Sequence, residues 1–141
     1  MKNVLLLITI CLIILSCKKN NDRILWECNN SPFPDSVTIS NKIIGSWLWT
    51  KQLCVDGNTG VITATKNIKI TFNANATFTV YENSTILTQG NWNLKTVDIN
   101  AWWLHLTSPS EYLYGRILFC NNKIMFNGSY IDGCDNVFVK E

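Results

Sequence analysis

Ile43-Ile44-Gly45-Ser46-Trp47-Leu48-Trp49-Thr50 is the stretch that decides the fold. It reads as a first β-strand opening on Gly-x-Trp: Gly45 lets the chain turn in tightly, and Trp47 and Trp49, two residues apart, point to one face. From here to Glu141 the chain is a series of short segments in which apolar and polar residues alternate between turn signals, the spacing of an all-β barrel.

The first strand covers about 43–55 and runs into the turn Asp56-Gly57-Asn58-Thr59-Gly60. In the second, Ile68, Ile70 and Phe72 alternate with Asn67, Lys69 and Thr71, so one face is buried and one wet. A tight loop at Ala74-Asn75-Ala76 leads into the third strand, Thr77 to Glu82, and sets Phe72 opposite Phe78 and Ile70 opposite Val80. The fourth, about 86–95, holds Gly90-Asn91-Trp92; the fifth, about 101–107, holds Trp102, Leu104 and Leu106; the sixth covers 112–120. Asn121-Asn122 makes a two-residue turn that pairs Phe119 with Ile124 and Ile117 with Phe126, leaving Arg116, Leu118 and Met125 on the other face. After a loop over 128–136, the eighth strand runs through Val137-Phe138-Val139-Lys140. Eight such strands close most simply as an up-and-down antiparallel barrel, with no helix expected in it.

Upstream, Met1-Lys2-Asn3 is a short positive start, and Val4 to Leu15 is an apolar run too short to span a bilayer. Ile14-Leu15-Ser16-Cys17 follows at once and resembles a bacterial lipobox, in which cleavage before the cysteine leaves its thiol to carry lipid. The expected organisation is a leader over 1–16, a lipid-anchored tether and lead-in over 17–42, and the barrel over 43–141. Lipid buried from Cys17 holds a chain to the membrane by about 0.8 kcal/mol per CH₂. The lead-in contains Ser31-Pro32-Phe33-Pro34, whose prolines bar a central strand. Asp35-Ser36-Val37 resembles a short acceptor motif for O-linked sugars in Bacteroidetes.

The net charge of +2 over 141 residues is scattered, without the basic stripe that nucleic acid demands. The acidic residues fall in the loops, tether or strand ends, so no carboxylate pair for acid–base work is visible. His105, the only histidine, is out of phase with Trp102, Leu104 and Leu106 and belongs on the outer face. A triad would depend on it alone, and catalysis is not expected. No cofactor is expected. Cys28, Cys54, Cys120 and Cys134 have no C-x-x-C spacing for a metal, and an exported chain with an even number of thiols is read as carrying two disulfides.

The lipobox, the Gly45-Ser46-Trp47 opening, Ile70-Thr71-Phe72-Asn73, Gly90-Asn91-Trp92 and the aromatic last strand ending in Lys140, in this order, resemble the small lipocalin-like lipoproteins of Bacteroidetes over about 43–141. The resemblance implies an outer-membrane lipoprotein, on the periplasmic or the cell-surface face, with Gly45 and Trp47 plugging the closed end of the barrel. Lys140 stands where that family lays an arginine across the tryptophan, and Asn75-Ala76 stands where it has Asp-Gly. Strand directions then constrain the cysteines. The first strand ends, and the last begins, at the open end, so Cys54 is expected to pair with Cys134. The sixth strand leaves Cys120 at the closed end, where the segment holding Cys28 passes, so Cys28 is expected to pair with Cys120. The rival is Cys120–Cys134 with Cys28–Cys54.

The expected function is binding of a small, largely apolar ligand in a calyx lined by Trp49, Phe78, Val80, Trp92, Leu104 and Leu106, with Arg116 as an anchor only in the other register of its strand. The alternatives are a protein-interaction or inhibitor module with a filled barrel, and a surface where Trp26 or Trp103 stacks on sugar rings.

Overall fold

The computed structural model describes residues 35–54, 60–98 and 101–141; the expected leader over 1–16, Cys17, Trp26 and Cys28 lie outside the described residues. The described chain begins with a helix, α1 (Ser36–Ile43), followed by strands β1 (Gly45–Cys54), β2 (Gly60–Thr63), β3 (Ile68–Phe72), β4 (Thr77–Glu82), β5 (Thr85–Asp98), β6 (Ala101–Leu106), β7 (Arg116–Cys120), β8 (Lys123–Asn127) and β9 (Cys134–Lys140). All pairings are antiparallel and follow the chain, and β1 closes the sheet on β9 from Trp47↔Lys140 to Cys54↔Cys134. The segments fill eight places around the barrel, because β3 pairs with Gly45–Leu48 and β2 with Lys51–Cys54 along the same edge of β1. The result is a closed eight-stranded antiparallel lipocalin-like barrel.

The alternation read from the sequence sets the faces. Phe72 lies opposite Phe78 and Ile70 opposite Val80, Ile117 opposite Phe126 and Phe119 opposite Ile124, and these side chains form the interior with Trp47, Ile68, Trp92 and Phe138. Ala76 takes the left-handed conformation in the Asn73–Thr77 hairpin (φ 61°), as do Asn83 and Ser84 in the β4–β5 turn (φ 49° and 71°) and Asn121 in the β7–β8 turn (φ 55°). The Asn75 carboxamide accepts from the Thr77 amide and hydroxyl, local bonds that help hold Ala76 where a glycine would sit without strain.

Several boundaries differ from the sequence reading. The lead-in is not all turn: Asp35 caps α1 by accepting from the Thr38 amide (2.8 Å) and hydroxyl (3.1 Å), while Ile39 and Ile43, four apart, bury one helix face completely. The first strand therefore starts at Gly45, whose φ of +125° turns the chain out of the helix and whose missing Cβ leaves room for Lys140 Cε at 3.2 Å. Gly60–Thr63 form the unforeseen β2. The sixth strand starts at Arg116 rather than 112, because Gly115 (φ +114°) bends the chain against the Asn127 backbone, where a Cβ would meet the carbonyl carbon at 2.4 Å. The last strand starts at Cys134 rather than 137.

A bulge at Thr50 switches the parity of β1, so Trp47 and Trp49 face inward while Leu53 faces outward beside Val61. A second apolar cluster on the outside joins Leu53 to Leu118, Met125 and Val137, all buried.

Candidate functional site

At the closed end, Trp47 is fully enclosed and donates its indole N–H to the Ile43 carbonyl at 2.7 Å, so the helix and the plug are one unit. The Lys140 ammonium lies 5.3 Å from the Trp47 ring centroid. Gly45, Trp47 and Lys140 thus meet at one point, with Ile39 and Ile43 in the same core cluster.

The other end is closed as well, by a device the sequence reading missed. The segment after β6 holds a 3-10 turn, Glu111–Leu113, whose Tyr112 and Leu113 side chains are buried in the barrel core. Tyr112 stands edge-on to Trp49 with centroids 5.4 Å apart. The Trp49 indole donates to the Asn136 carboxamide oxygen (3.2 Å), and the Asn136 amide donates to the Glu111 carbonyl (3.3 Å). Burial raises the Tyr112 phenol above its usual pKa, with the neighbouring Glu111 charge acting in the same direction. A small cleft of about 180 Å³ runs between this turn and the β4–β5 rim, touching Val80, Leu87, Thr88, Pro109 and Tyr112.

Between the two ends, the six residues expected to line a calyx lie in or against one core cluster. Phe78 and Val80 are essentially inaccessible, Trp49 and Trp92 retain 7% exposure each, and Leu104 and Leu106 are half-buried. The ring of Phe72 packs on both Phe78 and Trp92, and Phe126 packs edge-on to Phe138. The inward wall of β5 and β6 is less covered, with Leu94, Trp102, Leu104 and Leu106 each partly exposed. The buried Trp92 indole N–H has no hydrogen-bond partner. Two larger clefts are open: one of about 360 Å³ is lined by Ser46, Asn67, Lys69, Thr71, Tyr81 and Ser84, and another of about 410 Å³ borders Phe78 and Gly90 between β4 and β5.

Outside, Trp103 is joined to Arg116 at the single register pair between β6 and β7, and its ring stands edge-on to the half-exposed Tyr114 at 5.5 Å. Its buried indole N–H also lacks a partner. Arg116, Asn127 and Asp135 continue the same cross-strand row. Arg116 Nε donates to Asn127 Oδ1 (2.6 Å), Asn127 Nδ2 donates to Asp135 Oδ1 (2.8 Å), and the Ser129 amide and hydroxyl also donate to the Asp135 carboxylate. Asp135, expected in a loop, is instead fully buried in β9 and satisfied by this network. The outward register of Arg116 removes it from the interior. His105 is exposed on the outer face. Among the described residues no group of three His, Cys, Asp or Glu is placed to hold a metal.

The Cys54–Cys134 disulfide joins register partners of β1 and β9 at the mouth, with Cα atoms 4.3 Å apart, as strand direction required. The rival Cys120–Cys134 pairing is thereby excluded. Cys120 is itself disulfide-bonded, and the expected partner, Cys28, lies outside the described residues.

Fold and interior together define a lipocalin-like β-barrel plugged at both ends. Comparison of the chain with protein-family models, curated proteins and solved structures finds no match.

Proposed function

We propose that the protein is a non-catalytic, membrane-anchored lipocalin-like barrel that uses its interior as its own core and works through its outer surface as a partner-binding module. The observation that carries this reading is the packing: Ile68, Ile70, Phe72, Phe78, Val80, Ile124, Phe126 and Phe138 fill the interior at 0–1% exposure, between the Trp47 plug and the Tyr112 seal. The Trp103–Tyr114 pair beside Arg116 supplies the aromatic and guanidinium groups that dominate protein contacts. Lipid on Cys17 places the module on the outer membrane, facing the periplasm or the outside.

The test is titration of the full chain with an apolar fluorescent probe such as N-phenyl-1-naphthylamine. Wild type is expected to show no saturable one-to-one uptake. Tyr112→Ala, which leaves an apolar void beneath the mouth, is expected to acquire it. Saturable micromolar uptake by wild type overturns the reading. It would establish instead a calyx for a small apolar ligand carrying a hydrogen-bond acceptor. That second reading is favoured by the partly exposed wall Leu94, Trp102, Leu104 and Leu106 and by the unpartnered Trp92 N–H, and Trp92→Phe would then weaken the uptake.

A further inference from the structure

One side of the barrel is lined on its outside by uncharged polar side chains drawn into a hollow. Ser46, Thr71, Thr79 and Gln89 are successive register partners across β1, β3, β4 and β5, so they share one outward row. At the usual strand spacing the row runs about 14 Å across the sheet. The Ser46 and Thr71 hydroxyls are bonded to each other at 3.2 Å. The cleft of about 360 Å³ takes in Ser46 and Thr71 and continues over Lys69 and Tyr81 to Asn67 and Ser84. The cleft of about 410 Å³ reaches Thr79 and Gln89, at the other end of the row.

The hollow offers no net charge. Among the described residues that line the first cleft, Lys69 alone is charged, and its ammonium is paired with the Glu141 carboxylate. It does offer an apolar platform. Tyr81 is the partner of Lys69 across β3–β4 and of Ile86 across β4–β5; its ring is half-buried, while Ile86 is 51% exposed beside it. Its far end is held in a strained shape. Asn83 and Ser84 both sit at positive φ in the β4–β5 turn, the two-residue form that favours glycine at its second place. The chain carries Ser84 there at a conformational cost, and Ser84 lines the cleft. The Asn83 amide donates to the Asn67 carbonyl at 3.0 Å, which fixes Asn67 and Ser84 together at this end.

A matching ligand is uncharged, carries donors and acceptors in close succession, and has an apolar face to lay on a ring. Carbohydrate meets all three demands, with hydroxyls around the edge of each ring and C–H bonds across its faces. An apolar molecule would leave the hydroxyls and the Asn67 amide unmatched, and an anion would meet the Glu141 carboxylate.

We propose that the outer face of β1 and β3–β5 is a carbohydrate site, taking a neutral oligosaccharide that stacks on Tyr81 and bonds through its hydroxyls to Ser46, Asn67, Thr71 and Ser84. The site uses different strands from the Trp103–Tyr114 pair, and it goes beyond the partner-binding reading without depending on it.

The test is binding of the full chain, in a detergent without a sugar headgroup, to an array of neutral, sulfated and uronic-acid oligosaccharides. Wild type is expected to bind at least one neutral oligosaccharide more tightly than any charged one. Tyr81→Ala is expected to weaken that binding roughly tenfold or more while keeping the Cys54–Cys134 bond and the β-sheet circular dichroism. No binding on the array, equal or tighter binding of the charged oligosaccharides, or neutral binding that survives Tyr81→Ala overturns the proposal. Should Tyr81→Ala lose the barrel, Thr71→Lys, which sets a bulky charge in the middle of the cleft, gives the same reading. None of these results bears on whether the barrel interior takes up an apolar probe.

Discussion

The two ends of this barrel are sealed by opposite means. At the closed end the seal is mainly local: α1, Gly45 and Trp47 are contiguous in sequence, the helix buries Ile39 and Ile43 completely, and Lys140 and Phe119 join the Trp47 ring from distant strands. At the mouth the seal is assembled from distant pieces, with Trp49 bonded to Asn136, Asn136 to Glu111, and Tyr112 lying on Trp49. The local seal is dry to 0–2%, whereas the mouth keeps 7% at both Trp49 and Tyr112 and a cleft beside them. A plug built from neighbours in sequence needs little chain ordering beyond the strand it begins. One built across the fold forms only when the barrel is already closed, so it is the end expected to open first.

Trp47→Ala breaks the comparison most severely. It empties the closed end of its largest ring, strands the Ile43 carbonyl and removes the face beneath Lys140, so a loss of about 3–5 kcal/mol is expected in urea unfolding. A loss below about 1 kcal/mol would mean that the helix, not the tryptophan, carries the seal.

The mouth is sharpened by its disulfide. Cys54 and Cys134 are 80 residues apart, so replacing both by alanine releases a long loop in the unfolded chain and is expected to cost about 2–4 kcal/mol. The second expectation is positional. Amide exchange is to accelerate at Trp49, Asn136 and Glu111–Leu113, while α1 and Trp47 keep their protection until global unfolding. Equal acceleration at both ends would show that the barrel opens as one unit and that the contrast between the seals has no dynamic meaning.

The same contrast explains what was legible in the sequence. Strand faces and hairpin registers follow from period-two patterns and tight turns, so Phe72–Phe78 and Ile117–Phe126 were readable, and Cys54–Cys134 followed from strand direction. The helix was hidden by the prolines before it, although Asp35 followed three residues later by Thr38, with Ile39 and Ile43 four apart, is a cap and an apolar face. The Tyr112 seal and the Arg116–Asn127–Asp135 row had no local signal at all. Asp135 reads as a loop acid because a buried carboxylate is recognised only by the donors around it, and those come from β7, β8 and the turn at Ser129. The bulge at Thr50 is equally silent, and with it the outward turn of Leu53.

The smallest expected effect lies at the start of the local seal. The Asp35 carboxyl is held below its usual range, chiefly by the Thr38 amide and then by the Thr38 hydroxyl. A depressed folded-state pKa means that the cap's contribution is present above the ordinary aspartate range and is lost as pH falls through the folded value. Wild type should therefore lose a small increment of stability in acid, seen first as faster amide exchange at Thr38 and Ile39 while the mouth is unaffected. Asp35→Asn keeps an acceptor for the Thr38 amide without a titrating group, so it should remove this acid dependence with little change at neutral pH. If Asp35→Asn loosened α1 at neutral pH as much as Asp35→Ala, the carboxylate charge at the helix start, rather than the hydrogen bond, would be what holds the closed end together.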